Sequence, residues 1–265
     1  MISTYNKTVH NRKNFIRLDL RNKKKLKKII KKLNPDYILH AAALTDVDIC
    51  EKNKKLAKII NIDVIKYIID AIKQTKIKLI FLSTDHLFKK KKLFFTERDK
   101  KEPLNFYAYS KSKSEDIIKK NHKNHLILRT NFFGWGTKSR KSFSDRILEN
   151  LRKNKKLHLF DDVYFNPVSI NFLCKCLDNL IMENKKGTFN ISSNEFISKF
   201  DFGIMLAKIF KYKKKLIYPI KLRDKNIVKR PNYMCLSNRK IIKTLKISKN
   251  ELSIFNQILN LKEIK

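Results

Sequence analysis

Short apolar runs alternate with stretches of helical spacing along the first half of the chain, and no other feature narrows the fold as much. Ile2 to Tyr5, Phe15 to Leu18, Tyr37 to His40, Lys78 to Ser83 and His125 to Arg129 read as strands. Between them, Lys23 to Leu33 is a basic amphipathic helix that stops before Asn34-Pro35, since proline has no N–H to donate and clashes with the preceding turn. Leu56, Ile59, Ile60, Val64, Tyr67, Ile68 and Ala71 recur at helical spacing, and Pro103 opens a helix carrying Tyr107 and Lys111. Strand and helix in alternation imply parallel pairing, because each helix returns the chain to the start of the next strand. The predicted class is therefore α/β with a doubly wound parallel sheet. From about Ser142 the pattern loosens, with helices near 143–153, 169–183, 198–210 and 250–261 and short strands near 157–160 and 188–191. We accordingly divide the chain at 1–141 and 142–265, the second part being a smaller C-terminal region.

Composition limits the classes of function. With 265 residues, 42% of them hydrophobic and 11% aromatic, the chain can bury a core despite 32% charged residues. Lys+Arg 62 against Asp+Glu 24 gives a net charge of +38, which taken alone suggests a nucleic-acid or anionic-membrane partner. The excess is lysine, 51 against eleven arginines, dispersed in runs such as Lys23 to Lys25, Lys89 to Lys92 and Lys213 to Lys215. No arginine-rich or aromatic-interleaved tract accompanies it. Ile, Asn and Phe are also abundant while Gly, Pro and Trp are scarce, the set that A/T-rich codons favour. We therefore expect a compositional load and no specific nucleic-acid partner. No apolar run approaches the length of about 18 residues that spans a membrane, and the N-terminus lacks an apolar signal core, so a cytoplasmic protein without membrane association is expected. Cys50, Cys174, Cys176 and Cys235 make no CxxC pair and no zinc-like spacing, and read as reduced thiols.

The first glycine is Gly134. A dinucleotide fold needs glycine in the turn after its first strand, because only there can backbone amides approach a pyrophosphate at a helix N-terminus. No G-x-G-x-x-G loop precedes Gly134.

Two Y-x-x-x-K pairs occur, Tyr107 with Lys111 and Tyr109 with Lys113, and in a lysine-rich chain spacing alone does not separate function from accident. Their surroundings are more specific. Ser83-Thr84-Asp85 ends a buried strand, where parallel sheets present ligand-binding residues, and Pro103-Leu-Asn-Phe-Tyr107-Ala-Tyr-Ser-Lys111 follows. Upstream stands Asn34-Pro-Asp36-Tyr-Ile-Leu-His-Ala41-Ala-Ala43-Leu-Thr45-Asp-Val-Asp48; downstream are Leu128-Arg-Thr130-Asn-Phe-Phe-Gly134, Phe160-Asp-Asp162 with Asn166-Pro167, and Lys229-Arg-Pro231. Together these resemble the extended short-chain dehydrogenase/reductase family, most closely its dTDP-4-dehydrorhamnose reductase branch, over nearly the whole chain. The likeness starts at what looks like the family's second strand, so the Rossmann-like sheet is expected to be N-terminally truncated by its glycine-rich strand-loop-helix.

The resemblance implies roles. Tyr107 is the proton donor to the substrate carbonyl, Lys111 supports it and bonds the nicotinamide ribose, and Thr84 orients the carbonyl oxygen. The family pattern selects Tyr107 over Tyr109, with Ala108 where glycine is usual. Four residues apart on a helix places Tyr107 and Lys111 on one face, and an ammonium favours the phenolate of a group whose ordinary pKa is about 10. NADP is the implied cofactor, with Asp19 and Leu20 at the adenine and Ala41, Ala42, Ala43 and Ser83 along it; Asp19 also reads as a turn acid and the alanines as tight core. Asp85, Asn131, Phe132 and Arg230 fall on the substrate side, Asn131 and Phe132 reading equally as core packing and Arg230 either meeting a diphosphate or pinning a loop before Pro231. His86 and the pair Asp161-Asp162 read as loop and turn residues, and no metal site is expected.

Two functions follow. One is an NADPH-dependent oxidoreductase acting on the 4-keto group of a nucleotide-activated deoxysugar in rhamnose-type polysaccharide synthesis. The other is a non-catalytic sugar-nucleotide-binding or regulatory subunit on the same scaffold, which the missing glycine loop favours; by that loss, the 265 residues alone are expected to bind NADPH weakly or not at all. The sugar, the nucleotide, the choice of NADH or NADPH and the formation of a homodimer stay open.

Overall fold

Asn34 closes the first helix by turning into the left-handed region at φ 37°, a conformation asparagine tolerates, while its N–H still bonds Ile30. At the other end Asn22 accepts the Lys25 N–H. The structure is a computed structural model that describes residues 2–5, 14–89, 92–137 and 141–263. It comprises two compact units, Met1–Leu82 with Asn105–Ile127, and Ser83–Leu104 with Leu128–Lys265.

The first unit contains β1 (Ser3–Tyr5), β2 (Phe15–Arg17), α1 (Lys23–Leu33), β3 (Tyr37–His40), α2 (Val47–Lys52), α3 (Lys54–Ala57), α4 (Val64–Ile72), β4 (Lys78–Leu82), α5 (Phe106–Asn121) and the start of β5 (His125–Thr130). β1 pairs with β2, and β3 pairs with β4, both in parallel. β4 and β5 are parallel as well, since Leu79 N–H bonds Asn124 and Ser83 N–H bonds Leu128 at a constant offset. Leu26 and Ile30 of α1, the Ile65, Ile68 and Ile72 face of α4, Leu79 and Phe81 of β4 and Ile118 of α5 form the core. One difference from the expected pattern stands out. The helical spacing from Leu56 to Ala71 is broken between α3 and α4 by a π-turn over Lys58–Asp63, which buries Asn61 and Ile62.

The second unit continues through β6 (Phe132–Phe133), α6 (Phe143–Arg152), β7 (Leu157–Phe160), β8 (Tyr164–Phe165), β9 (Val168–Ser169), α7 (Ile170–Met182), β10 (Gly187–Ile191), β11 (Ile197–Ser198), α8 (Lys199–Ile209), β12 (Ile217–Ile220), α9 (Arg239–Leu245) and α10 (Ile254–Glu263). β10 neighbours β5, whose last three residues belong to this unit. Short pairs do the rest: β6 with β9 and β7 with β12 in parallel, β8 with β11 antiparallel. Its core gathers Phe133, Leu148, Phe165, Phe202, Leu206 and Ile258. Gly134 sits at φ +151°, where a Cβ would meet Ile170 Cγ2 at 2.6 Å, so glycine is required there by conformation and by space.

Candidate active site

Two side chains fix the start of α5. Asn105 accepts the Ala108 N–H at 2.9 Å, and Glu51 accepts the Phe106 N–H at 2.8 Å. Pro103 lies ahead of this cap, so the helix starts three residues beyond it. The cap sets the rotation of the helix, which turns Tyr107 and Lys111 inward and leaves Tyr109 and Lys113 exposed. Lys111 is only 4% exposed; its Nζ donates to the Leu82 carbonyl at 2.6 Å and lies 4.0 Å from the Phe81 ring centre. Burial pushes its pKa down to about 7, against the opposing pull of Glu115 one turn on. His40, stacked on Phe81, is held neutral with a pKa of about 3, by burial first and then by Lys111.

The π-turn supplies a residue that the sequence reading missed. Asn61 accepts the Leu44 N–H at 2.8 Å and donates to the Leu44 carbonyl at 3.0 Å and to Ser110 Oγ at 2.9 Å. Ser110 donates to the Tyr107 carbonyl, and Ser114 donates to the Asn61 carbonyl. One buried amide thus joins the loop after β3 to the α5 face that carries Tyr107. A polar residue inside a helical stretch gives no sequence signal of such a role.

Ala41 and Ala42 are exposed and Ala43 is half-buried, so the first two are not core. Asp19 accepts the Arg21 N–H and guanidinium, which hold its carboxyl below the usual range, and Leu20 packs partly on the first unit's core.

In the second unit, Ser83, Thr84 and Asp85 are buried in sequence. Thr84 Oγ1 donates to Asp85 Oδ1 at 3.2 Å and accepts the His86 N–H at 3.3 Å, while Asn131 Nδ2 donates to Asp85 Oδ2 at 2.8 Å. Burial raises the Asp85 pKa to about 6 against the Asn131 bond and the Lys199 charge. Lys199 was a second residue without a sequence signal; its ammonium lies 4.9 Å from the Phe143 ring centre and 5.7 Å from that of Phe165. Phe132 is 43% exposed. Arg230 borders a cavity of about 410 Å³ with Lys89, Asp162, Tyr164 and Tyr233, the two tyrosines stacked at 5.6 Å. Asp161 accepts Lys221 Nζ and Asp162 accepts the Leu222 N–H. Among the described residues no cluster of three or more metal-ligating side chains occurs, and no helix is long and apolar enough to cross a membrane.

A family model described as RmlD substrate binding domain matches residues 3–255. The dTDP-4-dehydrorhamnose reductase of Salmonella typhimurium is 30% identical over 164 residues, which cover 62% of this chain and 54% of that protein. The chain therefore spans about half the length of that relative. The dTDP-4-dehydrorhamnose reductase of Bacillus anthracis, solved in complex with NADP, shares the fold with a TM-score of 0.85 at 22% identity, over 93% of this chain and 86% of that one. A hypothetical dTDP-4-dehydrorhamnose reductase from Sulfolobus tokodaii gives a TM-score of 0.81 at 27% identity, over 94% and 89% of the two chains. The α/β fold with its parallel sheet is thus Rossmann-like.

Proposed function

The chain belongs to the RmlD substrate binding domain family, and from that premise we propose that it is an NADPH-dependent oxidoreductase. Its substrate is the 4-keto group of a nucleotide-activated deoxysugar, in polysaccharide synthesis of the rhamnose type. The observation that carries this reading is the buried Tyr107 and Lys111 on one capped helix, with the Lys111 ammonium drawn down to a pKa of about 7 by burial. A phenol is a weak acid at neutral pH, and an ammonium one helical turn away lowers the cost of its phenolate.

The residues present fit the cofactor at two places. Ala41 and Ala42 expose small side chains just beyond the carboxyl end of β3, and Lys111 offers a buried cation. Asp19 and Leu20 would hold the adenine end, and Ala41 to Ala43 with Ser83 and Lys111 the remainder. NADPH supplies the hydride when bound. Tyr107 delivers its phenolic proton to the carbonyl oxygen, Lys111 holds the charge left behind, and Thr84 fixes the oxygen. Asp85, Asn131 and Phe132 face the sugar, and Arg230 takes the diphosphate through its planar fork. In this reading residues 1–141 serve mainly the cofactor and residues 142–265 the substrate.

The test is the protein carrying a glycine-rich strand-loop-helix ahead of β1, given NADPH and dTDP-4-dehydrorhamnose and followed by NADPH absorbance and the reduced sugar, with the 265 residues alone as the comparison expected to bind NADPH weakly or not at all. Turnover that Tyr107→Phe lowers by roughly 10²–10⁴-fold supports the reading. Equal turnover by Tyr107→Phe, with Tyr109→Phe inactive, overturns the choice of tyrosine.

A further inference from the structure

Thr84 has one proton and two lone pairs to give. The proton goes to Asp85 Oδ1 and one lone pair to the His86 N–H, which leaves a single lone pair. A substrate carbonyl brings no proton. With Asp85 ionised, Thr84 can therefore meet a carbonyl only by breaking its bond to a carboxylate that is 2% exposed. A hydroxyl meets no such obstacle, since it can donate to the remaining lone pair.

We propose that Asp85 is a positioning residue that sets the direction of the Thr84 hydroxyl: protonated, it turns Thr84 into a donor to a substrate ketone; ionised, it holds Thr84 as an acceptor for an alcohol. This rests on the reductase reading above. The geometry places the proton. Oδ2 already accepts the Asn131 amide at 2.8 Å, so protonation falls on Oδ1, which then donates to Thr84 Oγ1 across the same 3.2 Å and frees the Thr84 proton. No atom moves by more than a hydroxyl rotation.

Charged and titratable groups face Asp85 from several elements, and His86 and Cys235 among them are held away from neutrality. His86 Nε2 stands 3.9 Å from Oδ1, yet burial first, then Lys199 and Arg230, push its pKa down to about 3. Burial pushes the Cys235 thiol up to about 12, with Asp85 adding to the rise. Lys199 is half-buried, with its ammonium 4.9 Å from the Phe143 ring centre and 5.7 Å from that of Phe165; desolvation and Arg230 disfavour the ammonium, and the Asp85 carboxylate favours it. Burial holds Asp85 itself near 6. Reduction converts the ketone that the protonated state prefers into the alcohol that both states accept.

Two measurements test this. In the first, the ¹³C shift of the Asp85 carboxyl is titrated in the ligand-free chain, in Thr84→Val and in Thr84→Ser. Loss of the hydroxyl donor is expected to raise the Asp85 midpoint, and serine to restore it. An unchanged midpoint in Thr84→Val overturns the coupling, whether or not the chain is a reductase. In the second, calorimetry compares the keto substrate and its reduced alcohol across pH 5 to 8. Ketone affinity is expected to fall several-fold above the Asp85 midpoint while alcohol affinity holds, because only a fraction of the protein is then competent for the ketone. In Asp85→Asn the amide donates permanently to Thr84, so ketone affinity becomes flat with pH. Parallel profiles for ketone and alcohol, or a wild-type profile in Asp85→Asn, overturn the proposal. Binding of neither sugar at any pH overturns the reductase reading and leaves the carboxyl titration to decide the Asp85–Thr84 coupling.

Discussion

The Lys111 ammonium donates to the Leu82 backbone carbonyl at 2.6 Å while lying over the Phe81 ring, so its contacts here are a neutral dipole and a π-face, with the Glu115 charge one turn on only partly offsetting burial. Neither compensates a buried charge fully, and the pKa falls to about 7 from an ordinary 10.5. Between those values the unfolded chain binds a proton that the folded one does not, so stability rises with pH across this window. The cost of the charge is present in full below pH 7. Urea denaturation from pH 6 to 10 is expected to show that rise in the wild type and a flatter profile in Lys111→Met. A fall in wild-type stability over that range contradicts a depressed amine. If the chain reduces its substrate as proposed, the same ionisation is expected to give a kcat/KM that declines above pH 7.

Asn61 satisfies both backbone groups of Leu44 and binds Ser110. Replacing it with alanine leaves two part-buried backbone groups without this partner, at about 1 to 3 kcal/mol together. Denaturation of Asn61→Ala is expected to show a loss in that range, together with lower turnover. Unaltered stability sinks this assignment.

At the start of α5, Asn105→Ala removes the side-chain cap on Ala108 and is expected to cost about 1 kcal/mol. Glu51→Ala removes the acceptor of the Phe106 N–H and should add to it less than independently, because the two caps serve one helical turn. A double-mutant cycle by chemical denaturation measures the coupling, and strict additivity goes against a shared role.

In Gly134→Ala the added methyl meets Ile170 at a backbone angle that disfavours any side chain. The expected loss is about 1 to 3 kcal/mol. Pairing it with Ile170→Ala relieves the clash but not the φ strain. Partial recovery in a melting experiment is thus expected, and full recovery would falsify the conformational share.

Much of this fold is written in local chemistry. Leu26 and Ile30 at helical spacing, with Asn34-Pro35 behind them, define α1 to the residue, and the apolar Leu79 to Leu82 defines β4. What escaped depends on distance or brevity. A π-turn has the same apolar spacing as an α-helix over so short a span, so Lys58–Asp63 looked continuous with its flanks. β6, β8, β9 and β11 are two residues long and carry no period to detect. The sequence reading places no helix at the short, basic α9, and α10 begins at Ile254 rather than 250. Lys199 could not be told from the other lysines until Phe143 and Phe165 were folded around it.

The π-turn has a consequence for how this gene can change length. A π-turn absorbs one extra residue as a bulge while the flanking helix keeps its phase. Deleting one residue from Lys58–Asp63 would let α3 run on into α4 at ordinary pitch, with Ile65, Ile68 and Ile72 still facing the core. The position that points Asn61 at Leu44 and Ser110 would vanish. Such a deletion keeps the flanking helix in phase and erases the tether, so its cost to folding is expected to be that of Asn61→Ala and not that of a register shift. Along this helix, then, a frame-preserving loss of three nucleotides leaves the apolar face in place and removes one polar link, unlike a deletion inside a packed helix, which turns the whole face away from the core.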